Sequence, residues 1–329
     1  MDRALFWYSL FNTPGVGPKT LLKIATAVEG YNLRELPPDA QIDELMRLPE
    51  VARILREHPI ADHEDEFQAR WNGLQELGVK LIYPGVDQYA QQLLVYCDKF
   101  GVSPVLFARG CNKLLSARSI AVVGSRAATD QTLEITSKIA YDLAGEGFNI
   151  VSGYAKGVDT AAHLGALEAG GTTTLALSHG ILQLTTKPPL EEFNWDSNVL
   201  ALSQFSPDDK WHPGNAFARN RLICALSTAV LVIEAGPERD SNGKMSGTYD
   251  TAKVARRMGI PVFVLDHAQF GPQPQGNASL IETGGIVVEM ETAANAISKY
   301  LATNVSSDRI HRSKDSETQL SLFRDSHGG

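Results

Sequence analysis

From Ser119 onward the chain changes period again and again. SIAVVGS is followed by TLEITSKIAYDLAGEG, FNIVSG by VDTAAHLGALEAGG, and then come TTTLALS and NVLALS. FARNRLICALS precedes TAVLVIEAG, TYDTAKVARRMG follows it, and PVFVLD closes the series. The short runs are almost wholly apolar, as strands covered on both faces must be. The longer runs place apolar residues three and four apart, the spacing of a helix with one buried face. Strand and helix in alternation allow few architectures. The pattern predicts an α/β fold with a doubly wound, mostly parallel sheet and right-handed crossovers.

Three segments follow from this. Residues 1–73 read as a small helical domain broken by Pro and Gly, with FWYSLFNTPGVGPKTLLKIATAV as helix, tight turn, helix. Residues 74–303 form the strand–helix domain, led in by VKLIYPGVDQYAQQLL and SPVLFARG. Residues 304–329 are polar and aperiodic and read as a disordered tail. A chain of 329 residues has room for one large domain and one or two small ones. Cys97, Cys111 and Cys224 are too scattered for a disulfide framework or a zinc site. No apolar run spans a bilayer and the N-terminus lacks a signal-peptide pattern, so a cytoplasmic location and no membrane partner are expected. The net charge of −8 argues against a surface coated in basic charge, and leaves room for a local basic cleft.

Ligands of parallel sheets bind beyond the carboxyl ends of the strands, so the loops there carry the chemistry. In VVGSRAATD, Gly124 permits a tight turn, Ser125 offers a hydroxyl and Arg126 a forked cation. In IVSGYAKGVD, Ser152 and Gly153 end a strand, Lys156 projects from the turn, and Gly157 precedes a helix that Asp159 is placed to cap. In FARNRLICALS, Arg219, Asn220 and Arg221 are read as opening a helix. In GKMSGTYDTA, Lys244, Ser246, Gly247 and Thr248 open another. Helix amides, glycines and fixed cations together make an anion-binding surface, and several such loops side by side suit a phosphodiester strand as well as a mononucleotide. Taken singly, each cation is as readily a partner for the chain's surplus carboxylates. His163 reads as a packing histidine.

This ordered set, GSR, SGYAKGVDTAAH, FARNRLICALS, VLVIEA, MSGTYDTA and PVFV, resembles that of the DNA-processing protein A family, also called Smf. The resemblance implies a Rossmann-like domain that binds single-stranded DNA without cutting it, protects it in transformation, and helps load a RecA-type recombinase, commonly as a homodimer. It puts Arg126, Lys156, Arg219 and Arg221 on DNA-contacting loops, together with Gly124, Ser125, Ser152, Gly153, Asn220, Lys244 and Ser246. It implies no cofactor, metal or catalytic residue. Some stretches depart from the family's pattern: HGILQLTTKPPLEEFNWDSN after the third strand, Gln204 at an acidic position, a longer GPERDSNGK, and no segment after Ile297 long enough for the winged helix that many members carry. The alternative reading is a nucleotide-binding sensor of the same fold, for example in phage defence. A nucleoside-monophosphate phosphoribohydrolase is disfavoured, because MSGTYDTAK lacks the Pro-Gly-Gly and glutamate of that signature.

Two smaller motifs complete the reading. TPGVGPKTLLKI resembles a helix-hairpin-helix element, with amides at Gly15 and Gly17 and the cation of Lys19 available to a phosphate; the alternative is a plain turn in a helical bundle. QLSLF resembles the bacterial sliding-clamp-binding motif, with Gln319, Leu320, Leu322 and Phe323 as anchors; the alternative is a tail packed on its own domain or on a dimer mate.

Overall fold

The structure, a computed structural model, describes residues 3–30, 38–47, 49–57, 59, 63–86, 89 and 92–304. The Gln319–Phe323 motif lies outside the described residues. The chain divides into two compact units, Met1–Phe107 with Ala302–Gly329, and Ala108–Leu301.

The smaller unit is mainly helical. Its elements are α1 (Arg3–Asn12), α2 (Pro18–Gly30), α3 (Pro38–Leu45), α4 (Pro49–Glu57), α5 (Glu64–Glu76), β1 (Lys80–Ile82), α6 (Gln92–Phe100) and the start of β2 (Leu106–Gly110). Aromatic side chains organise its core. Tyr8 lies 5.5 Å from Trp71 and meets Phe67 edge-on at 6.3 Å, while Phe11 meets Phe107 edge-on at 5.1 Å. Such pairs add about 0.5–1.5 kcal/mol each beyond the area they bury. Between α1 and α2 the chain turns tightly. Val16 N–H donates to the Thr13 carbonyl at 3.1 Å, and Gly15 has φ +82°, a left-handed value a side chain would resist. Lys19 is exposed, and open space lies where side chains would stand on Gly15 and Gly17.

The larger unit carries the expected alternation: β3 (Ser119–Val123), α7 (Asp130–Gly145), β4 (Asn149–Ser152), α8 (Val158–Glu168), β5 (Thr173–Ala176), α9 (Pro188–Glu191), α10 (Trp195–Asn198), β6 (Val199–Ser203), α11 (Pro213–Ala225), β7 (Ala229–Val232), α12 (Gly247–Arg257), β8 (Val262–Leu265), α13 (Gln275–Glu282) and β9 (Ile286–Val288). A last helix occupies 293–304. The final strand–helix pair, α13 and β9, extends the series beyond PVFVLD. Every residue of β3 to β8 is buried, which explains why these strands read as mostly apolar runs.

Strands β6-β5-β4-β3-β7-β8-β9 lie side by side in that order, and every pairing is parallel. The chain steps from β3 outward to β6, then returns to the other side of β3 with β7. Right-handed crossovers therefore put α7 and α8 on one face and α11 and α12 on the other, and each pair packs together. The reversal leaves a crevice beyond the carboxyl ends of β3 and β7, where open α/β sheets bind their ligands.

Candidate nucleic-acid interface

Two loops beside that crevice are built against each other. After β3 the chain runs Gly124–Ser125–Arg126, and α7 then starts with Thr129 as its cap, the side chain accepting from Thr132 N–H at 3.2 Å. After β4 it runs Gly153–Tyr154–Ala155–Lys156–Gly157 into α8. Val158 N–H donates to the Ser125 carbonyl at 3.2 Å. A side chain on Gly157 would stand 2.4 Å from that same oxygen, and one on Gly124 would stand 2.6 Å from Val158. Both glycines are therefore there for close approach. Arg126 and Lys156 are exposed, so two cations project from adjoining turns at the ends of neighbouring strands.

The third predicted loop is a helix interior instead. α11 begins at Pro213, because Pro suits the first helical position and His212 caps it, its Nδ1 accepting from Gly214 N–H at 3.0 Å. Arg219, Asn220 and Arg221 sit well inside the helix, so the expectation that they open it is corrected. Arg221 is exposed, while Arg219 is 5% exposed and turned inward. Arg219 crosses the sheet edge at Gly153, where a side chain would stand 1.3 Å from Nη1. Beyond it, Nη1 comes within 3.9 Å of Asp159 Oδ2. Burial pulls the Arg219 pKa down, Asp159 opposes that shift, and Arg126 adds to it.

Asp159 does not cap α8. Gly157 holds the cap position with no side chain to offer, and the Asp159 carboxylate accepts instead from Ala155 N–H at 3.2 Å while facing Arg219. His163, one turn further on, is fully buried. Thr173 Oγ1 donates to the Ile150 carbonyl at 2.7 Å, so it accepts from His163 Nδ1–H at 2.6 Å, which leaves Nε2 as the bare nitrogen. His163 Nε2 and Arg219 Nε are both buried without a hydrogen-bond partner. Burial, with the charges of Lys187 and Arg219, drives the His163 pKa down to about 3, so the ring is neutral at physiological pH.

Several other predicted residues have their polar groups engaged within the protein. Ser152 is fully buried and donates to the Val122 carbonyl at 2.6 Å. Asn220 donates to the Gly247 carbonyl at 3.1 Å and to Asp250 Oδ2 at 3.3 Å, tying α11 to the first turn of α12. Ser246 caps α12, its hydroxyl accepting from Tyr249 N–H at 3.3 Å. Ser125 Oγ accepts from Ala127 N–H at 3.1 Å, which shapes the first turn. Lys244 is exposed in the loop before α12, where its N–H donates to Asp240 Oδ1.

Sequence reasoning missed Lys187. It lies just before α9, in the stretch noted only as a departure, and its ammonium donates to the carbonyls of Tyr154 and Ala155 and to Thr160 Oγ1. Pro188 and Pro189 after it signal a helix start, but no local signal shows that the lysine turns back onto a loop more than thirty residues earlier in the chain. Tyr154 holds φ 59°, a left-handed value that is unusual for a residue with a side chain and that no local sequence signal announces. Among the described residues no group of three or more His, Cys, Asp or Glu is placed to hold a metal ion, the three cysteines are buried and unbridged, and no helix is long and apolar enough to cross a membrane.

The arrangement can seat the oxygens of a phosphate on the exposed cations of Arg126 and Lys156. Residues 80–301 match the family model described as DNA recombination-mediator protein A. The chain is 36% identical over 174 residues to Protein Smf of Synechocystis, covering 52% of this chain and 42% of that protein. It is 34% identical over 186 residues to DNA processing protein DprA of Streptococcus pneumoniae, covering 56% of this chain and 63% of that one. The chain thus spans less than two thirds of the length of these two curated relatives. The X-ray structure of DNA processing protein A from Streptococcus pneumoniae superposes with TM-score 0.63 at 25% identity, over 88% of this chain and 95% of that one. DNA processing protein A from Helicobacter pylori, whose structure is described as giving insight into a unique single-stranded DNA binding mode, superposes with TM-score 0.52 at 26% identity, over 67% of this chain and 96% of that one. The chain belongs to the DNA recombination-mediator protein A family.

Proposed function

We propose that this family member binds single-stranded DNA through its phosphate backbone, along the carboxyl edge of the parallel sheet, and does not cut it. The observation that carries the reading is the abutting pair of turns that expose Arg126 and Lys156 beside the crevice. Phosphates running across that edge meet the two cations and the amides at the start of α8, with Arg221 and Lys244 as further exposed cations in the larger unit. Arg219 serves from behind as a buried counter-charge to Asp159. The single-stranded DNA binding described for the Helicobacter pylori relative supports the reading. Bound DNA is protected and passed to a RecA-type recombinase in transformation, recombination or repair, by a homodimer in the cytoplasm. The Gly15–Lys19 turn offers a second phosphate contact in a helical domain of residues 1–73, and Gln319–Phe323 engages the sliding clamp.

The test is a titration with single-stranded DNA, duplex DNA and mononucleotides at two salt concentrations. Single strands bind preferentially, with little sequence preference, and affinity falls with salt as counterions are released. Tight binding of a mononucleotide with none of a long oligonucleotide refutes this reading and favours the nucleotide sensor.

A further inference from the structure

Between β5 and β6 the chain folds a strap back onto the Tyr154–Gly157 turn. Lys187 N–H donates to the Tyr154 hydroxyl at 2.7 Å, and that hydroxyl donates to the Thr185 carbonyl at 3.1 Å. In return Lys187 Nζ donates to the Tyr154 carbonyl at 3.0 Å, the Ala155 carbonyl at 3.1 Å and Thr160 Oγ1 at 2.6 Å, and lies 4.2 Å from the centre of the Tyr154 ring. An ammonium has three protons, and here three acceptors take them. The half-buried lysine therefore holds no proton in reserve for a phosphate.

We infer that Lys187 and Tyr154 form a latch that holds the Tyr154–Gly157 turn in its phosphate-binding shape, with Lys187 as a positioning residue and not a DNA contact. The inference rests on the function proposed above. In a trans peptide the carbonyl and the following N–H point in opposite directions. Anchoring the Ala155 carbonyl on Lys187 thus aims the Lys156 N–H away from the strap. The same anchor holds Tyr154 in its left-handed conformation. A turn fixed in advance loses less entropy when the ligand binds.

The latch is sensitive to pH. Burial lowers the Lys187 pKa, with Asp159 opposing, and burial raises that of Tyr154. The charged or titratable groups around the latch are Asp159 and His163 on α8, Arg219 on α11, and Glu191 on α9. His163 is neutral, and Arg219 stays charged throughout. As pH rises through the lowered Lys187 value, the ammonium becomes an amine with two protons, one of its three bonds is lost, and the turn loosens.

The experiment uses the full chain, with Lys187→Ala, Lys187→Arg and Tyr154→Phe. Amide hydrogen exchange across residues 154–160 is measured without DNA. Affinity for an oligothymidylate is measured at two salt concentrations, and at about pH 8 and about pH 10. In Lys187→Ala, exchange rises and affinity falls, each about tenfold, while the slope of affinity against salt stays that of the wild type. Tyr154→Phe, which keeps the ammonium bonds, moves both readouts the same way by less, and decides the matter if Lys187→Ala does not fold. Lys187→Arg removes the part of the alkaline loss that belongs to Lys187. A salt slope lower by about one means direct phosphate contact and overturns the latch. Unchanged exchange in Lys187→Ala and Tyr154→Phe overturns it as well. If the wild type binds no single-stranded DNA, the proposed function fails, and the exchange measurement still decides whether the latch exists.

Discussion

Gly157→Ala tests the way the two phosphate loops are held together. Gly157 has φ +77° and ψ −132°, a conformation open to glycine and costly for other residues. Backbone strain of that kind costs about 1–3 kcal/mol. The new methyl group would also stand 2.4 Å from the Ser125 carbonyl oxygen and 3.0 Å from Arg126 Cα, both backbone atoms that no rotamer change can move. Forcing extra volume into a packed contact costs about 1–3 kcal/mol more. The sum is about 2–6 kcal/mol, which for a unit of this size lowers the melting temperature by about 5–20 °C. Gly145→Ala is the matched control. It ends α7 with open space around the added methyl and no left-handed φ, so its stability rises by about 0.5–1 kcal/mol or stays level. Scanning calorimetry on both variants and the wild type reads the difference. Affinity for single-stranded DNA also falls in Gly157→Ala, because the Ser125–Arg126 turn must back away. A Gly157→Ala protein that melts with the wild type refutes the argument that close backbone approach joins the loops.

Arg126→Ala and Lys156→Ala each weaken single-stranded DNA binding about tenfold and lower the salt slope by about one, with melting nearly unchanged, since exposed charges add little to folding; intact binding in both moves the interface elsewhere. Arg219→Ala leaves the Asp159 carboxylate buried without its cation and lowers stability by about 3 kcal/mol in urea denaturation, whereas Arg221→Ala stays within about 0.5 kcal/mol; equal losses contradict the inward turn of Arg219. His163 has its folded pKa driven down to about 3, so between the ordinary histidine value and that point the unfolded chain binds the proton and the folded chain does not. Stability therefore falls on acidification from about pH 6.5 toward about pH 3, and His163→Gln flattens the slope; parallel slopes for the two proteins remove His163 from the account.

The alternation of buried strands and amphipathic helices is a local property, and it was legible. Runs such as SIAVV and AVLV are mostly apolar because both faces of each strand are covered, and α7 and α12 carry the 3.6-residue period of one buried side. The positions of Gly124, Arg126, Lys156 and Gly157 at strand-to-helix turns follow from the same pattern, since the turn lies where the period changes. What a side chain does at the turn was decided elsewhere. Ser152 and Asn220 look as free as Ser125 in the sequence, yet one hydroxyl bonds a neighbouring strand 30 residues away and one amide bonds the first turn of another helix 27 residues away. Arg219 and Arg221 are a matched pair in the sequence, and the helix turns one inward and the other outward. Asp159 passes for a cap until α11 brings a guanidinium over Gly153 to meet it, and Lys187 passes for a loop residue until the strap returns it to Tyr154. The physical reason is the same in each case. Hydrophobic period depends on neighbours a few residues apart, whereas the partner of a buried polar group is set by the closure of chain segments that only the folded sheet brings together.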